Sequence, residues 1–291
     1  MAMLSRILVP VVFSARCQDA TRYAAALACR FQCELHLLHV FVQPWGAFSA
    51  AEGFATPPPY DLPSTLLQVQ DQLDAFQHDE LQNLQVRTVV REGDPARIIA
   101  EYACTENCDL IVMPTHGYGP FRRFLLGSVT AKVLHDVHCP VFTGPHLEHP
   151  PEITEPGFET ILCALDLRPE SRAVLSWAAR FAAEFGSKLT VVHAIPAATN
   201  RLDGIYFDAA WRADILAHAR TRLESLRDDL AVDAEIVIES GDIPGAVREA
   251  AKSAHADLLV AGRGHPHGML GRLRTNTYGI VRESPCPVIA V

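Results

Sequence analysis

"DLIVMPTHGYGPFRRFLLGSVTAKVL", residues 109–134, is the stretch that decides the fold. It begins with a short, continuous apolar run, which is typical of a strand buried on both faces of a parallel sheet. Gly117 and Gly127 follow ten positions apart, and Ser128 opens a helical pattern. A loop of this composition between a strand and a helix either cradles an anion with its main-chain amides or only turns the chain.

The chain contains one structural unit twice. Three stretches recur in the same order in the two halves: "ILVPVVF" (7–13) with "ILCALDL" (161–167), residues 23–40 with 177–194, and "HCPVF" (138–142) with "PCPVI" (285–289). The first two pairs share one offset, which aligns His39 with His193. A repeat of this length predicts two copies of one fold.

A segment rich in proline and glutamate separates the two copies. We predict a first domain over residues 1–145, a linker over 146–158 and a second domain over 159–291. Such a composition is typical of an extended connection outside a packed core.

Strand and helix signals alternate in each copy. Asp94 before Pro95 and Asp242 before Pro244 mark helix starts, because aspartate caps a helix and proline is tolerated in its first turn. The order in each copy is βαβαβαβαβ. It predicts an α/β fold of two tandem, doubly wound, five-stranded parallel-sheet domains of Rossmann-like type. Ligands bind such sheets at the carboxyl ends of the strands, where the strand order reverses.

Composition excludes two classes of partner. The chain has 291 residues, a formal charge of −9 and a pI near 5.8, which argues against a nucleic-acid backbone as partner. No apolar run reaches the roughly 20 residues that span a bilayer, and the N-terminus lacks the features of a secretory signal. We therefore expect a cytoplasmic protein that does not bind membranes.

Cysteine and histidine spacing predicts no metal site. The eight cysteines are scattered without a CxxC pair, and they are typical of small buried side chains in a reducing compartment. The histidine pairs 135/138, 146/149 and 265/267 have no cysteine or carboxylate partners at a recognisable ligand spacing.

The repeated motifs resemble the universal stress protein family. The resemblance covers nearly the whole chain and is carried by "ILVPVVFS", "LLHVF", "EGDPARII", "DLIVMPTHG", "LLGSVTAKVL" and "CPVF". It implies two tandem UspA domains and a role in the stress response. Members usually form dimers, so the terminal strands "PVFTG" and "PVIAV" are expected to pair and make an internal pseudo-dimer. Association of two whole chains stays open.

The resemblance also implies a nucleotide site in the first copy. Nucleotide-binding members carry G-x-x-G-x9-G-(S/T) after the fourth strand and an aspartate at the end of the first. Here Pro114 replaces the leading glycine and Val12 replaces the aspartate. The implied binding residues of this copy are Pro10, Val12, Val40, Pro114, His116, Gly117, Gly127, Ser128 and Val129.

The second copy departs from the same pattern differently. Asp166 holds the aspartate position, and the implied loop residues are Gly262, Gly264 and Thr275. The late glycine is replaced by Arg274, whose side chain either blocks the pocket or holds an anion itself. We expect blockage and a degenerate second site.

The expected function is that of a stress-response regulator or sensor. It binds ATP or a related adenine nucleotide weakly in the first copy, and an unidentified protein is its partner. The alternative is a scaffold or interaction module whose sites have decayed in both copies. No lysine-containing phosphate loop and no nucleophile elbow occur, so catalytic residues are not assigned and slow ATP hydrolysis is the most that is expected. Residues 43–64, rich in proline and aromatic side chains, suit a lid, a docking surface or a passive loop.

Overall fold

The structure is a computed structural model that describes residues 3–43, 61–115, 126–144, 147, 157–196, 209–263 and 274–291. Side chains are not described for residues 209–212 and 274–275. The first half contains β1 Arg6–Pro10, α1 Ala15–Phe31, β2 Glu34–Phe41, α2 Leu62–Ala75, α3 His78–Leu81, β3 Val86–Glu92, α4 Pro95–Thr105, β4 Leu110–Val112, α5 Ser128–Asp136 and β5 Val141–Thr143. The second contains β6 Thr160–Ala164, α6 Ser171–Phe185, β7 Lys188–Pro196, α7 Ala209–Asp229, β8 Glu235–Gly241, α8 Ile243–Ser253, β9 Leu258–Ala261, α9 Arg274–Glu283 and β10 Val288–Ala290.

The chain divides into two compact units. Among the described residues, the first unit holds 3–43, 61–115, 127–140 and 147, and the second holds 126, 141–144 and the rest of the chain from 157. The second unit thus includes β5, which comes from the first half of the sequence. The domain boundaries drawn from the repeat stay a prediction.

Each unit has the parallel sheet that the alternation predicts. In the first unit the order is β3-β2-β1-β4, with Ile7 in register with Leu35 of β2 and Leu110 of β4. In the second unit the order is β8-β7-β6-β9-β10. The strand order therefore reverses beside β1 in one unit and beside β6 in the other, which is where a doubly wound sheet opens a crevice.

The terminal strands pair as predicted. Within the second unit, β5 runs antiparallel to β10, with Phe142 opposite Ile289. Gly144 directly follows β5 with φ +154°, and a Cβ there would lie 3.2 Å from Cα of Pro287. Only glycine fits such a conformation at such a close approach.

Both predicted helix caps are present. The side chain of Asp94 accepts the N–H of Arg97 at 3.0 Å, and that of Asp242 accepts the N–H of Gly245 at 3.3 Å. Each bond satisfies one of the main-chain donors that a helix start leaves open, so α4 and α8 begin where the sequence indicates.

A buried histidine lies in the first unit, on β2. His36 is 1% exposed, and its Nδ1 lies 2.9 Å from the hydroxyl of Tyr102 while its Nε2 lies 3.3 Å from Oε2 of Glu34. Burial lowers the pKa of His36, and the Glu34 carboxylate opposes this only in part. His36 is therefore a group that the folded chain prefers to keep neutral.

We expect the first unit to lose stability as the pH falls below about 6.5, the pKa of an unfolded histidine. Because the pKa of His36 is lower in the folded state, the unfolded chain takes up the proton first, and the loss levels off below the folded pKa. His36→Gln should flatten this dependence in urea unfolding between pH 5 and pH 8, while the exposed His138→Gln serves as control. An unchanged slope in His36→Gln would contradict the assignment.

Candidate functional site

A cavity of 340 Å³ lies at the carboxyl ends of β6, β7 and β9 in the second unit. Asp166 follows β6, His193 and Ala194 lie near the end of β7, and Gly262 follows β9. Apolar side chains from the surrounding helices and β7 form much of its wall, among them Val174, Val192, Val247 and Ile280. The cavity joins an apolar interior to a few polar groups, which is the usual composition of a small-molecule site.

Asp166 supplies a carboxylate to this cavity. Its Oδ1 accepts the N–H of Arg168 at 3.1 Å and the hydroxyl of Ser171 at 3.0 Å. Its Oδ2 makes a longer contact, 3.4 Å, with Nε of Arg168. One oxygen thus holds the turn into α6, and the other has capacity for a ligand donor.

The repeated histidines hold the ends of two strands together in each unit. Nδ1 of His193 lies 2.7 Å from the carbonyl oxygen of Leu165, and Nδ1 of His39 lies 2.8 Å from that of Val11. A carbonyl accepts, so Nδ1 carries the proton in both rings and Nε2 is left as an acceptor. In the first unit burial lowers the pKa of His39, against the smaller effect of the Val11 carbonyl. The repeated position therefore has a packing role, and in the second unit it also lines the cavity.

The two units differ two residues after the carbonyl that bonds the histidine. Phe13 adopts φ +54° and stacks on His39, with ring centroids 4.8 Å apart. The ring of Phe76 meets the ring of Phe13 edge-on, with centroids 5.8 Å apart. The counterpart of Phe13 in the second unit is Leu167, also left-handed at φ +59°. An aromatic ring thus covers one face of His39, whereas His193 lines the cavity and has an aliphatic residue at the position equivalent to Phe13.

In the loop after β4, one of the main-chain amides expected to bind an anion donates its hydrogen bond to the protein instead. The N–H of Gly127 donates to the carbonyl of Thr115 at 2.8 Å, and the hydroxyl of Thr130 donates to that of Pro114 at 3.1 Å. Helix α5 also has no side-chain cap, because its N-cap residue is Gly127. An anion at this helix start therefore has the amides of Ser128 and Val129 to bind, which have no protein acceptor among the described residues.

Other residues implied for the first copy lie at strand ends. Pro10 is buried at the end of β1, and its carbonyl accepts from Sγ of Cys17. Val12 lies two residues after Pro10 and is 37% exposed, and Val40 lies near the end of β2. His116, Gly117 and the 44–60 segment lie outside the described residues.

The second copy brings two of its implied residues together. Asp166 and Gly262 line the same cavity, and the hydroxyl of Thr277 donates to the carbonyl of Gly262 at 3.1 Å. That bond repeats the one between Thr130 and Pro114. Gly264 and the side chains of Arg274 and Thr275 are not described, so the expected blockage by Arg274 is untested, and the described lining leaves room for a ligand beside Asp166.

Several cavity residues escaped the motif comparison. Ala164 and Ala194 line the cavity, and the repeat offset that aligns the histidines places them on Pro10 and Val40. That offset was the signal that would have found them. Asn276 and Arg168 also line the cavity, and no sequence pattern marks them.

Among the residues that the structure describes, no group of three or more histidine, cysteine, aspartate or glutamate side chains is arranged to hold a metal ion. Within the same residues, no helix has the length and apolarity needed to cross a membrane.

Comparison with known proteins agrees with the sequence motifs. The profile of the Universal stress protein family matches residues 3–143 and 157–291. A universal stress protein of Methanocaldococcus jannaschii is 33% identical over 144 residues, which are 48% of this chain and 81% of that protein. Universal stress protein A homolog 1 of Coxiella burnetii is 32% identical over 138 residues, covering 46% of this chain and 96% of its own.

Solved structures match both halves of the chain. A universal stress protein from Archaeoglobus fulgidus superposes with a TM-score of 0.68 over 98% of this chain and 95% of that one, at 20% identity. At this identity the match supports the fold alone.

Proposed function

Because this chain belongs to the universal stress protein family, we propose that it is a regulatory protein that binds an adenine nucleotide. The observation that carries the proposal is the 340 Å³ cavity at the carboxyl ends of β6, β7 and β9. Its volume falls within the range of about 300–1,000 Å³ in which proteins enclose small ligands. It also lies beside β6, where the strand order reverses.

The cavity walls suit a nucleoside. Val174, Val247 and Ile280 form apolar surface against which a flat purine base is removed from water. The second oxygen of Asp166 accepts a ribose hydroxyl, since its protein contact with Arg168 is long at 3.4 Å. The free Nε2 of His193 adds an acceptor for an exocyclic amine.

In the first copy we propose a weaker site at the start of α5. The amides of Ser128 and Val129 face an anion with the favourable end of the helix dipole. Four features weaken the site. The N–H of Gly127 already donates to Thr115, and Pro114 has no N–H. The side chain of Val12 offers no acceptor, and the ring of Phe13 covers His39. Each lost charge-assisted hydrogen bond costs about 1.5–3 kcal/mol.

In this proposal the protein is a sensor and not an enzyme. It acts in the cytoplasm during the stress response and transmits the state of its ligand site to a protein partner. The sequence offers no phosphate-loop lysine and no nucleophile elbow, so no hydrolytic step is assigned.

Isothermal titration with ATP and with adenosine tests this function. We expect saturable binding of both, and Asp166→Asn should weaken adenosine about tenfold, because one charge-assisted acceptor is lost. Asparagine keeps an oxygen for the N–H of Arg168, so the turn into α6 should be preserved. Asp233→Asn, an exposed substitution of equal charge in the same unit, is the control and should leave adenosine binding unchanged. Absence of adenosine and ATP binding at millimolar concentration would refute the proposal and favour the scaffold alternative.

A further inference from the structure

A second groove, of 470 Å³, lies beside the cavity of the second unit. It runs between the turn into α6 and the C-terminal half of α7, and it shares Arg168 and Ser171 with the cavity. Its charged lining comprises three arginines and one aspartate: Arg168, Arg172, Arg222 and Asp229. On a chain with a net charge of −9, this groove is a local surface of excess positive charge.

The arginines of the groove are only weakly neutralised. Arg172 lies 3.4 Å from Asp229 and Arg168 lies 3.4 Å from Asp166, and all four side chains are about half exposed. Exposed ion pairs of this kind contribute little and exchange readily for a better acceptor. Arg222 donates from Nη2 to the carbonyl of Leu167 at 2.7 Å, a neutral acceptor, so its charge has no carboxylate partner among the described residues.

The turn after β6 connects the two spaces. Leu167 holds a left-handed conformation at φ +59°, and the bond from Arg222 fixes its carbonyl on the groove side. Asp166 before it lines the cavity, and Arg168 after it lines both spaces. A ligand that is bound beside Asp166 and extends out of the cavity therefore lies next to the guanidinium groups of the groove. Guanidinium groups bind phosphate in a two-pronged geometry with high strength.

We propose that the second unit binds its ligand across both spaces, with the nucleoside in the cavity and the phosphates against Arg168 and Arg222 in the groove. This inference rests on the proposed function for the nucleoside part. Guanidinium groups thereby take the place of the glycine-loop amides that the second copy has lost. The arrangement is specific to this copy, because the repeat offset places neutral Ser14 and Gln18 opposite Arg168 and Arg172.

The test compares three probes by titration calorimetry: adenosine, ATP and inorganic tripolyphosphate. We expect ATP to bind the wild-type chain at least about tenfold more tightly than adenosine. Arg222→Gln and Arg168→Gln should each weaken ATP and tripolyphosphate about tenfold, and Arg222→Gln, at a residue that lines only the groove, should leave adenosine within about twofold. Arg220→Gln, an exposed change of equal charge on the same helix, should leave all three unchanged. Circular dichroism melting checks that each variant is folded.

Each outcome decides between the groove and the proposed function. If ATP and adenosine bind equally, or if Arg220→Gln weakens ATP as much as Arg222→Gln does, the groove holds no phosphate and the inference is wrong. An equal loss of adenosine in Arg222→Gln would also overturn it, since Arg222 would then act only by positioning the turn. If tripolyphosphate alone binds and Arg222→Gln abolishes it, the groove stands while the adenine nucleotide function fails. If no probe binds, both fail.

Discussion

Replacing Ala194 by phenylalanine should abolish most nucleotide binding without unfolding the protein. Ala194 is half-buried near the end of β7 and lines the 340 Å³ cavity. A phenyl ring there occupies the volume that a purine base needs, so the two cannot be accommodated together. We expect a loss of about 100-fold in ATP affinity, equal to about 2.8 kcal/mol. Isothermal titration measures the affinity, and thermal melting checks that the fold is kept.

The matched control is Val40→Phe. Val40 is the counterpart of Ala194 in the first copy, as the shared offset of His39 and His193 requires. This variant should remove only the weak phase of binding assigned to the first copy. If Val40→Phe abolishes the main binding and Ala194→Phe does not, the principal site lies beside the loop of Gly127 and Ser128, and the assignment to the second unit is wrong.

Replacing Phe181 by alanine should give the largest loss of stability. Phe181 is fully buried in α6, and its ring lies 4.9 Å from Phe185, 5.1 Å from Trp177 and 5.7 Å from Phe158 between centroids. Truncating a buried phenylalanine leaves a cavity among rings that cannot close it, which costs about 3–5 kcal/mol. Urea unfolding followed by tryptophan fluorescence should report this loss in the transition of the second unit.

Leu27→Ala is the control for that experiment, because Leu27 is the buried counterpart of Phe181 in the first copy. It should lower the other unfolding transition. ATP stabilises the unit that binds it by mass action, so it should raise the transition that Phe181→Ala lowers. Protection by ATP of the transition that Leu27→Ala lowers would contradict a principal site in the second unit.

The sequence predicted the features that follow from periodicity and repetition. Continuous apolar runs such as residues 7–9 and 110–112 indicated strands covered on both faces, and these residues are buried. The spacing of aspartate and proline predicted the starts of α4 and α8, because capping depends on residues three positions apart. The pairing of β5 with β10 was implied by the resemblance to the universal stress protein family.

The features of the site that escaped the sequence depend on contacts between distant residues. The bond from Arg222 to Leu167 joins residues 55 positions apart on different elements, and no local pattern marks it. Phe13 is an ordinary aromatic residue in sequence, and only the left-handed turn brings its ring onto His39. The motif likewise cannot reveal that Gly127 directs its N–H to Thr115, since that bond depends on how the loop closes. Sequence motifs thus pointed to the carboxyl ends of the strands as the place for a ligand, but they did not indicate which copy has the described cavity.

A crystal structure of the chain soaked with a non-hydrolysable ATP analogue tests the central claim most directly. The account predicts density for the base between Ala194 and Val247, with the ribose at Asp166 and the phosphates at Arg168 and Arg222. Density for the nucleotide only at the start of α5, beside Ser128 and Val129, would contradict it, as would a second-unit cavity that stays empty at saturating analogue.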